Sequence, residues 1–344
     1  MLEDIKITPL LDTLKLEKID DSTYFSEKYS NYISNSRLGL INPNKGGTPE
    51  AFFKGFKPIY SSSLIIGSAV HGMVLQPEYF NIVDSVDMPS GKIGFVVDEL
   101  FNLCKGKDPT DDQITQAATK IDYYKGCVTA NRIAEIRQKY ADFSNAKIRH
   151  LQTRGEDSRV DLYLDQKSRD ISYNCIRSLQ ENKYVQGILH PKGIIENPIS
   201  EYEQAILLDV RIDMPNNGGS FILKLKSKLD NYVINKEMNE IQVNDIKTLG
   251  KILSEFPSNV EKYSYSRELA MYSFLLSLVA KKYYNMDNPT IKGHYLVVST
   301  IPNYYSKVVK VTKKEFKEGF EEFKYLLRLV AKYVATDYKD FGIW

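Results

Sequence analysis

A chain of 344 residues with 42% apolar, 12% aromatic and 26% charged side chains can bury a core in one large domain or two modest ones, which excludes a disordered or fibrous protein. Its 46 Lys and Arg against 44 Asp and Glu leave a formal net charge of +2, which neither demands a nucleic-acid partner nor excludes one whose basic contacts are local. The cysteines, Cys104, Cys127 and Cys175, are odd in number and widely spaced, so they build neither a disulfide framework nor a zinc pattern, and a reducing cytoplasm fits them best.

The N-terminus, MLEDIKITPLLDTLKLEKID, carries charges among its apolar positions and lacks the unbroken hydrophobic run of a signal peptide. No window approaches the roughly 18 apolar residues of a membrane span. A soluble, cytoplasmic protein without a membrane partner is expected.

Residues 1–60 form a polar, turn-rich N-terminal segment, with NYISNSRLGLINPNKGG punctuated like a loop. Residues 61–90 hold a first core helix: SSSLIIGSAVHGMVLQ opens on serines able to cap it, and Leu64, Ile65, Ala69, Val70, Met73 and Val74 recur at helical spacing. Residues 91–195 read as a helical insertion or subdomain, with amphipathic stretches such as DDQITQAATKIDYYKGCVTANRIAEIRQKYA. From about residue 196 to 344 the period becomes two, in EQAILLDVRID, SFILKLKSKLDNYVI and NEIQVNDIKT, with PNNGG as a hairpin turn between the first two. The helix YSRELAMYSFLLSLVAKKYY, the strands HYLVVSTI and SKVVKVT, and the helix EFKEGFEEFKYLLRLVAKYVA complete the chain. There is no internal repeat and no low-complexity tract.

The chemistry concentrates in NDIKT. Strand alternation puts Asp245 and Lys247 on one face, about 7 Å apart along the strand, and turns Ile246 to the other. Phosphodiester hydrolysis needs a hard cation, for which carboxylate oxygens are preferred ligands, and a nearby ammonium can offset charge developing on the phosphate. Upstream, Lys224, Lys226, Lys228 and Asp230 share one strand face while Leu223, Leu225 and Leu229 share the other. Two readings of that charged face stand side by side: a solvated sheet face, or a second metal carboxylate at Asp230 with Lys226 and Lys228 drawing in phosphate oxygens. His71, in a helix otherwise apolar or small, is either a hydrogen-bonded core histidine or a metal ligand. His150, His190 and His294 show no ligand spacing and receive no role.

The segments GSAVHGMVLQPEYF, KSKLD, NDIKT and SRELAMY, in that order and spacing, resemble the exodeoxyribonuclease VIII (RecE) family, and YISNSRLGLI looks like that family's opening motif. The family's nuclease core belongs to the PD-(D/E)XK superfamily, with lambda exonuclease and the RecB nuclease domain. The resemblance covers roughly residues 30–80 and 195–340, with 90–190 matching only as helical filler. It implies an α/β fold, a mixed central sheet flanked by helices with a helical insertion, and a metal-dependent exonuclease digesting linear double-stranded DNA from its ends, 5′ to 3′, in phage-type recombination. It further implies Mg²⁺ as cofactor with Mn²⁺ able to substitute, a homo-oligomeric ring, and a single-strand annealing protein as partner.

Carried over residue by residue, the resemblance makes His71, Asp230 and Asp245 the metal-site residues, Lys247 the catalytic lysine, and Glu203 a carboxylate that contacts metal through water. In the family a Gln precedes a Tyr by four residues on the next helix. Here Glu268 stands in place of that Gln and Tyr272 is retained, a departure that bears on catalysis. Ser34, Ser36 and Arg37 offer hydroxyls and a forked guanidinium suited to a DNA 5′-phosphate, or else an N-cap and a surface arginine. The rivals are a structure-specific endonuclease, a CRISPR-associated iron–sulfur nuclease, and a catalytically silent DNA-binding protein on the same fold. The scattered cysteines disfavour the second, and the intact His71, Asp230, Asp245 and Lys247 set disfavours the third.

Overall fold

The computed structural model describes residues 2–55, 59–126, 128–216 and 218–336; Cys127, and Asn217 of the expected 215–219 turn, lie outside the described residues. The chain divides into two compact units: the first comprises Met1–Lys57, Glu181–Val298 and Ser306–Trp344, the second Pro58–Gln180 with Ser299–Tyr305. The strands are β1 (Lys6–Pro9), β2 (Lys15–Glu17), β3 (Phe80–Ile82), β4 (Val160–Leu162), β5 (Ile199–Asp213), β6 (Ser220–Asn235), β7 (Glu240–Leu249), β8 (Thr290–Ser299) and β9 (Ser306–Lys310). The α-helices are α1 (Asp21–Tyr24), α2 (Asn35–Gly39), α3 (Pro49–Lys54), α4 (Ser62–Leu75), α5 (Lys92–Cys104), α6 (Asp111–Lys120), α7 (Ala130–Thr153), α8 (Gln166–Glu181), α9 (Lys183–Leu189), α10 (Phe256–Lys262), α11 (Tyr265–Tyr284) and α12 (Lys313–Thr336).

The first unit is built on a seven-stranded sheet in the order β1-β5-β6-β7-β8-β9, with β2 also pairing β5. The sheet is mostly antiparallel: β1, β2 and β6 all run opposite to β5, as β7 does to β6 and β9 to β8. β6 shows why period two decides the layering. Leu223, Leu225 and Leu229 are sealed from solvent on one face, and each fully buried leucine contributes about 1.5–3 kcal/mol of transfer free energy. The helical expectation at 265–284 coincides with α11, and α12 covers the expected last helix with two residues more at its start and one at its end. Gly319 of α12 permits their close approach, because a Cβ there would meet the Ser266 carbonyl oxygen at 2.2 Å.

The N-terminal segment departs from the loop that its turn residues suggest. β1 and β2 lie on β5, and Ile33 bridges β6, donating its N–H to the Lys224 carbonyl at 2.7 Å and accepting from the Lys226 N–H at 3.0 Å. Strands of three or four residues, one ending in Pro9, carry too few alternations to show in a sequence. The segment carrying α1 removes the solvated-face reading of β6, since Lys226 is buried and donates to the Tyr24 carbonyl at 2.7 Å.

The second unit is mainly helical, as the charged periodic stretches predict. Val96, Val97 and Leu100 of α5, Ile114 and Ala117 of α6, and Ile136, Tyr140 and Phe143 of α7 form its core. Thr110 and Gln113 close a capping box at the start of α6. The parallel pair β3–β4 was not legible in the sequence. α4, which carries His71, belongs to this unit. Among the described residues no helix is long and apolar enough to cross a membrane.

Candidate active site

Register brings three carboxylates into line across β5, β6 and β7. The pairs Tyr202↔Asn231 and Gln204↔Leu229 bracket Glu203 opposite Asp230, and Asn231↔Asn244, continued by one residue, sets Asp230 opposite Asp245. Carboxylate oxygens of Glu203 and Asp230 lie within 4.8 Å of one another. Like charges directly opposite one another destabilise a sheet unless something else holds them there.

Two local features open the sheet at this row. The β6–β7 ladder runs from Asn235↔Glu240 to Asn231↔Asn244, and beyond it the Ile246 N–H donates to Asp230 Oδ2 at 2.7 Å, so a side chain takes the place of a backbone acceptor. Glu203 has a φ of 49°, the left-handed region that a residue with a Cβ adopts only when its surroundings impose it.

Asp245 and Lys247 share one face, as the alternation predicts. Lys247 Nζ donates to Asp245 Oδ1 at 3.0 Å and lies 2.8 Å from Oδ2, a charge contact without hydrogen-bond alignment, so that buried oxygen keeps unused acceptor capacity. Burial drives the Asp245 carboxyl well above the usual range; Lys247 opposes this, while Glu268 and Asp230 add to it. Burial alone would lower the Lys247 ammonium, but Asp245, Glu268 and Asp230 raise it, so it remains a cation.

α11 supplies the remaining contacts. Glu268 Oε2 accepts from Lys247 Nζ at 2.9 Å, and the Tyr272 hydroxyl donates to Glu268 Oε1 at 3.2 Å. The Tyr265 ring lies 4.7 Å from the same ammonium, a contact that no sequence signal announces beyond its place at the start of the helix.

The other expected residues fall as follows. Lys228 is ion-paired to Asp21 at 2.6 Å and to Glu203 at 2.9 Å. Burial lowers Lys226 to about 8, and the Tyr24 ring lies 4.4 Å from its ammonium. Both lysines therefore direct their donors to protein groups instead of the phosphate contacts predicted for them. Ser34 caps α2 by accepting the Arg37 N–H at 3.2 Å, Ser36 is exposed, and Arg37 donates to the Ser30 carbonyl with its guanidinium 5.0 Å from the Phe52 ring. Buried Nε of Arg37 has no hydrogen-bond partner among the described residues. His71 is half-buried on α4.

Behind the row, the residues next to Asp230 and Asp245 face the other way and form a buried polar ladder. Asn244 Nδ2 donates to Asn231 Oδ1 at 2.6 Å, and His294 Nδ1 lies 2.8 Å from Asn244 Oδ1. Unpaired amides would be costly at this depth, so the ladder ties β6, β7 and β8 into one register.

The donor set fits a hard divalent cation. Oxygens of Glu203 and Asp230 within 4.8 Å of one another are close to the span that two ligands at roughly 2.0–2.6 Å from one ion allow, and Asp245, aligned with Asp230 by register, keeps an unspent buried oxygen. No protein-family model matches the chain, and no curated protein matches it. Among solved structures it is similar to the crystal structure of a protein named "Putative exonuclease" from Eubacterium rectale, at 14% identity and a TM-score of 0.43 over 92% of this chain and 88% of that one.

Proposed function

We propose that this protein is a metal-dependent deoxyribonuclease of the PD-(D/E)XK type that digests linear double-stranded DNA from its ends. The observation that carries the reading is the row Glu203, Asp230 and Asp245 across three strands, with Lys247 beside it. Asp230 and Asp245 would hold the cation, Glu203 would approach it through water, and His71 would complete the set by the resemblance of its motif. When bound, Mg²⁺ or Mn²⁺ supplies the polarisation of the phosphate and the activation of water.

The chain's own groups do the rest. Lys247, kept charged by its carboxylate neighbours, offsets negative charge on the scissile phosphate, and Glu268, steadied by Tyr272, aims the ammonium. Ser36 and the guanidinium of Arg37 would meet the 5′-phosphate, which fits 5′ to 3′ digestion. A ring-shaped homo-oligomer, an annealing partner, a cytoplasmic location and a role in phage-type recombination belong to the same proposal through the family resemblance. A second reading, a silent DNA-binding protein, draws on Glu268: where the family carries Gln, a carboxylate holds the lysine at 2.9 Å.

End-labelled linear duplex and closed circular duplex, each with Mg²⁺ and with EDTA, decide between them. Loss of the linear DNA alone, and only with Mg²⁺, is expected. Nicking or cutting of circles would make it an endonuclease, and binding without cleavage in either Mg²⁺ or Mn²⁺ would make it silent. His71→Ala is expected to depress cleavage in both ions; undiminished activity would leave His71 a helix-packing residue.

A further inference from the structure

Tyr263 and Tyr265 flank Ser264, whose φ of 52° turns the chain between α10 and α11 and brings the two rings face to face. Their centroids are 5.6 Å apart with planes at 27°, a stacked arrangement. Tyr265 is anchored from within: its ring lies 6.1 Å from Phe256, also stacked, and 6.1 Å from Tyr295. Lys247 Nζ lies 4.7 Å from the centroid of that anchored ring. The outermost member, Tyr263, is 50% exposed, and Lys262 Nζ stands 5.0 Å from its ring. Together the two separations cap the distance from the exposed ring to the Lys247 ammonium at about 10 Å.

An exposed aromatic ring held by a stack, with a flexible lysine over it that can swing out to a phosphate, suits binding of a DNA strand without sequence preference. The ring stacks a base, any base having a π-face, and the ammonium meets the backbone. Successive phosphates of one strand are about 3.4 Å apart along a duplex, so about 10 Å is within the reach of two or three nucleotides. We propose that Tyr263 is a stacking platform for a nucleobase of the strand whose phosphate lies at Asp230, Asp245 and Lys247, with Lys262 on a neighbouring phosphate. The proposal rests on the nuclease reading and adds a substrate contact to it. It makes the grip on DNA dependent on bases but indifferent to which base is present.

The test uses the full chain, with Tyr263→Ala and Tyr263→Phe, and a linear duplex bearing a short single-stranded tail whose positions carry either normal bases or abasic sites. Binding is read by fluorescence anisotropy in Ca²⁺, and cleavage in Mg²⁺ by gel. The wild type is expected to bind the normal tail about five-fold or more tighter than the Ala variant does. The Phe variant should match the wild type, and the difference between wild type and Ala should vanish on the abasic tail. Equal binding by wild type and Ala on the normal tail, with cleavage intact, overturns the platform and leaves the nuclease reading standing. So does an equal loss on both tails, which would mean that the ring acts on the backbone or on the fold. A wild type that neither binds nor cleaves DNA overturns both.

Discussion

Two carboxylates, Asp161 in the second unit and Asp245 in the first, are almost equally hidden, with side chains 5% and 3% exposed. Asp161 is surrounded by donors. Its Oδ2 takes the Arg154 guanidinium at 2.6 Å, the Tyr163 hydroxyl at 3.2 Å and His150 Nε2 at 3.0 Å, and its Oδ1 takes the Asn81 amide at 3.1 Å. Among the described residues Lys247 is the one hydrogen-bond donor to Asp245, and beyond it stand Asp230, Glu203 and Glu268. In the first case fixed protein donors satisfy the charge. In the second, Asp230, Asp245, Glu203 and Glu268 gather around the ammonium groups of Lys228 and Lys247, a surplus of carboxylates that the proposed cation would offset. Burial therefore does not mark a functional carboxylate; burial without enough donors does.

The contrast is broken most directly at Asp245. Asp245→Ala is expected to reduce cleavage of linear duplex by at least about 10³-fold in every divalent ion, because a primary ligand is lost, while DNA binding in Ca²⁺ stays equal or tightens. Lys247→Ala should lower cleavage by roughly 10²–10³-fold, the scale of one removed electrostatic donor, with little change in binding. A Lys247→Ala enzyme as fast as the wild type would refute the role given to the ammonium.

Asp161→Ala should have the opposite profile. Removing one partner of a buried ion pair strands Arg154 and costs about 3–5 kcal/mol, read as a lower urea midpoint, whereas cleavage per folded molecule should hold. If that variant folds well and is nonetheless inactive, the distinction between the two carboxylates is wrong.

His294 extends the comparison to the ladder behind the row. Burial, with Lys310 and Lys292 adding to it, lowers its imidazole to about 4, against about 6.5 in an unfolded chain. The folded state therefore refuses a proton that the unfolded state accepts. Stability from this group is complete above about pH 6.5 and is lost as the pH falls towards 4, by up to about 3 kcal/mol. Urea midpoints at pH 7 and pH 4.5 should separate more in the wild type than in His294→Gln; equal separations would remove the histidine as the cause.

The smallest effect belongs to Glu268→Gln. Taking one carboxylate from the cluster should shrink the rise in melting temperature on adding Mg²⁺, by about 1 kcal/mol in equivalent stability, and leave cleavage within about ten-fold of the wild type. A gain of cleavage from none would mean that Glu268 had disabled the site.

The sequence by itself determined the long strands, α4, α11 and α12, and the common face of Asp245 and Lys247, because a period of two or 3.6 is written among near neighbours. It also showed an apolar and a charged face on β6, though not what covered the charged one. Only the tertiary structure decided that the segment carrying Asp21 and Tyr24 takes up Lys226 and Lys228, and that β1 and β2 join the sheet. The same holds for the left-handed turn at Ser264 that stacks Tyr263 on Tyr265, and for the register that lines up Glu203 with Asp230 and Asp245. The physical reason is that a strand's alternation is settled over a few residues, whereas its register and its cover depend on partners tens to hundreds of residues away, through contacts that form only when the whole sheet does.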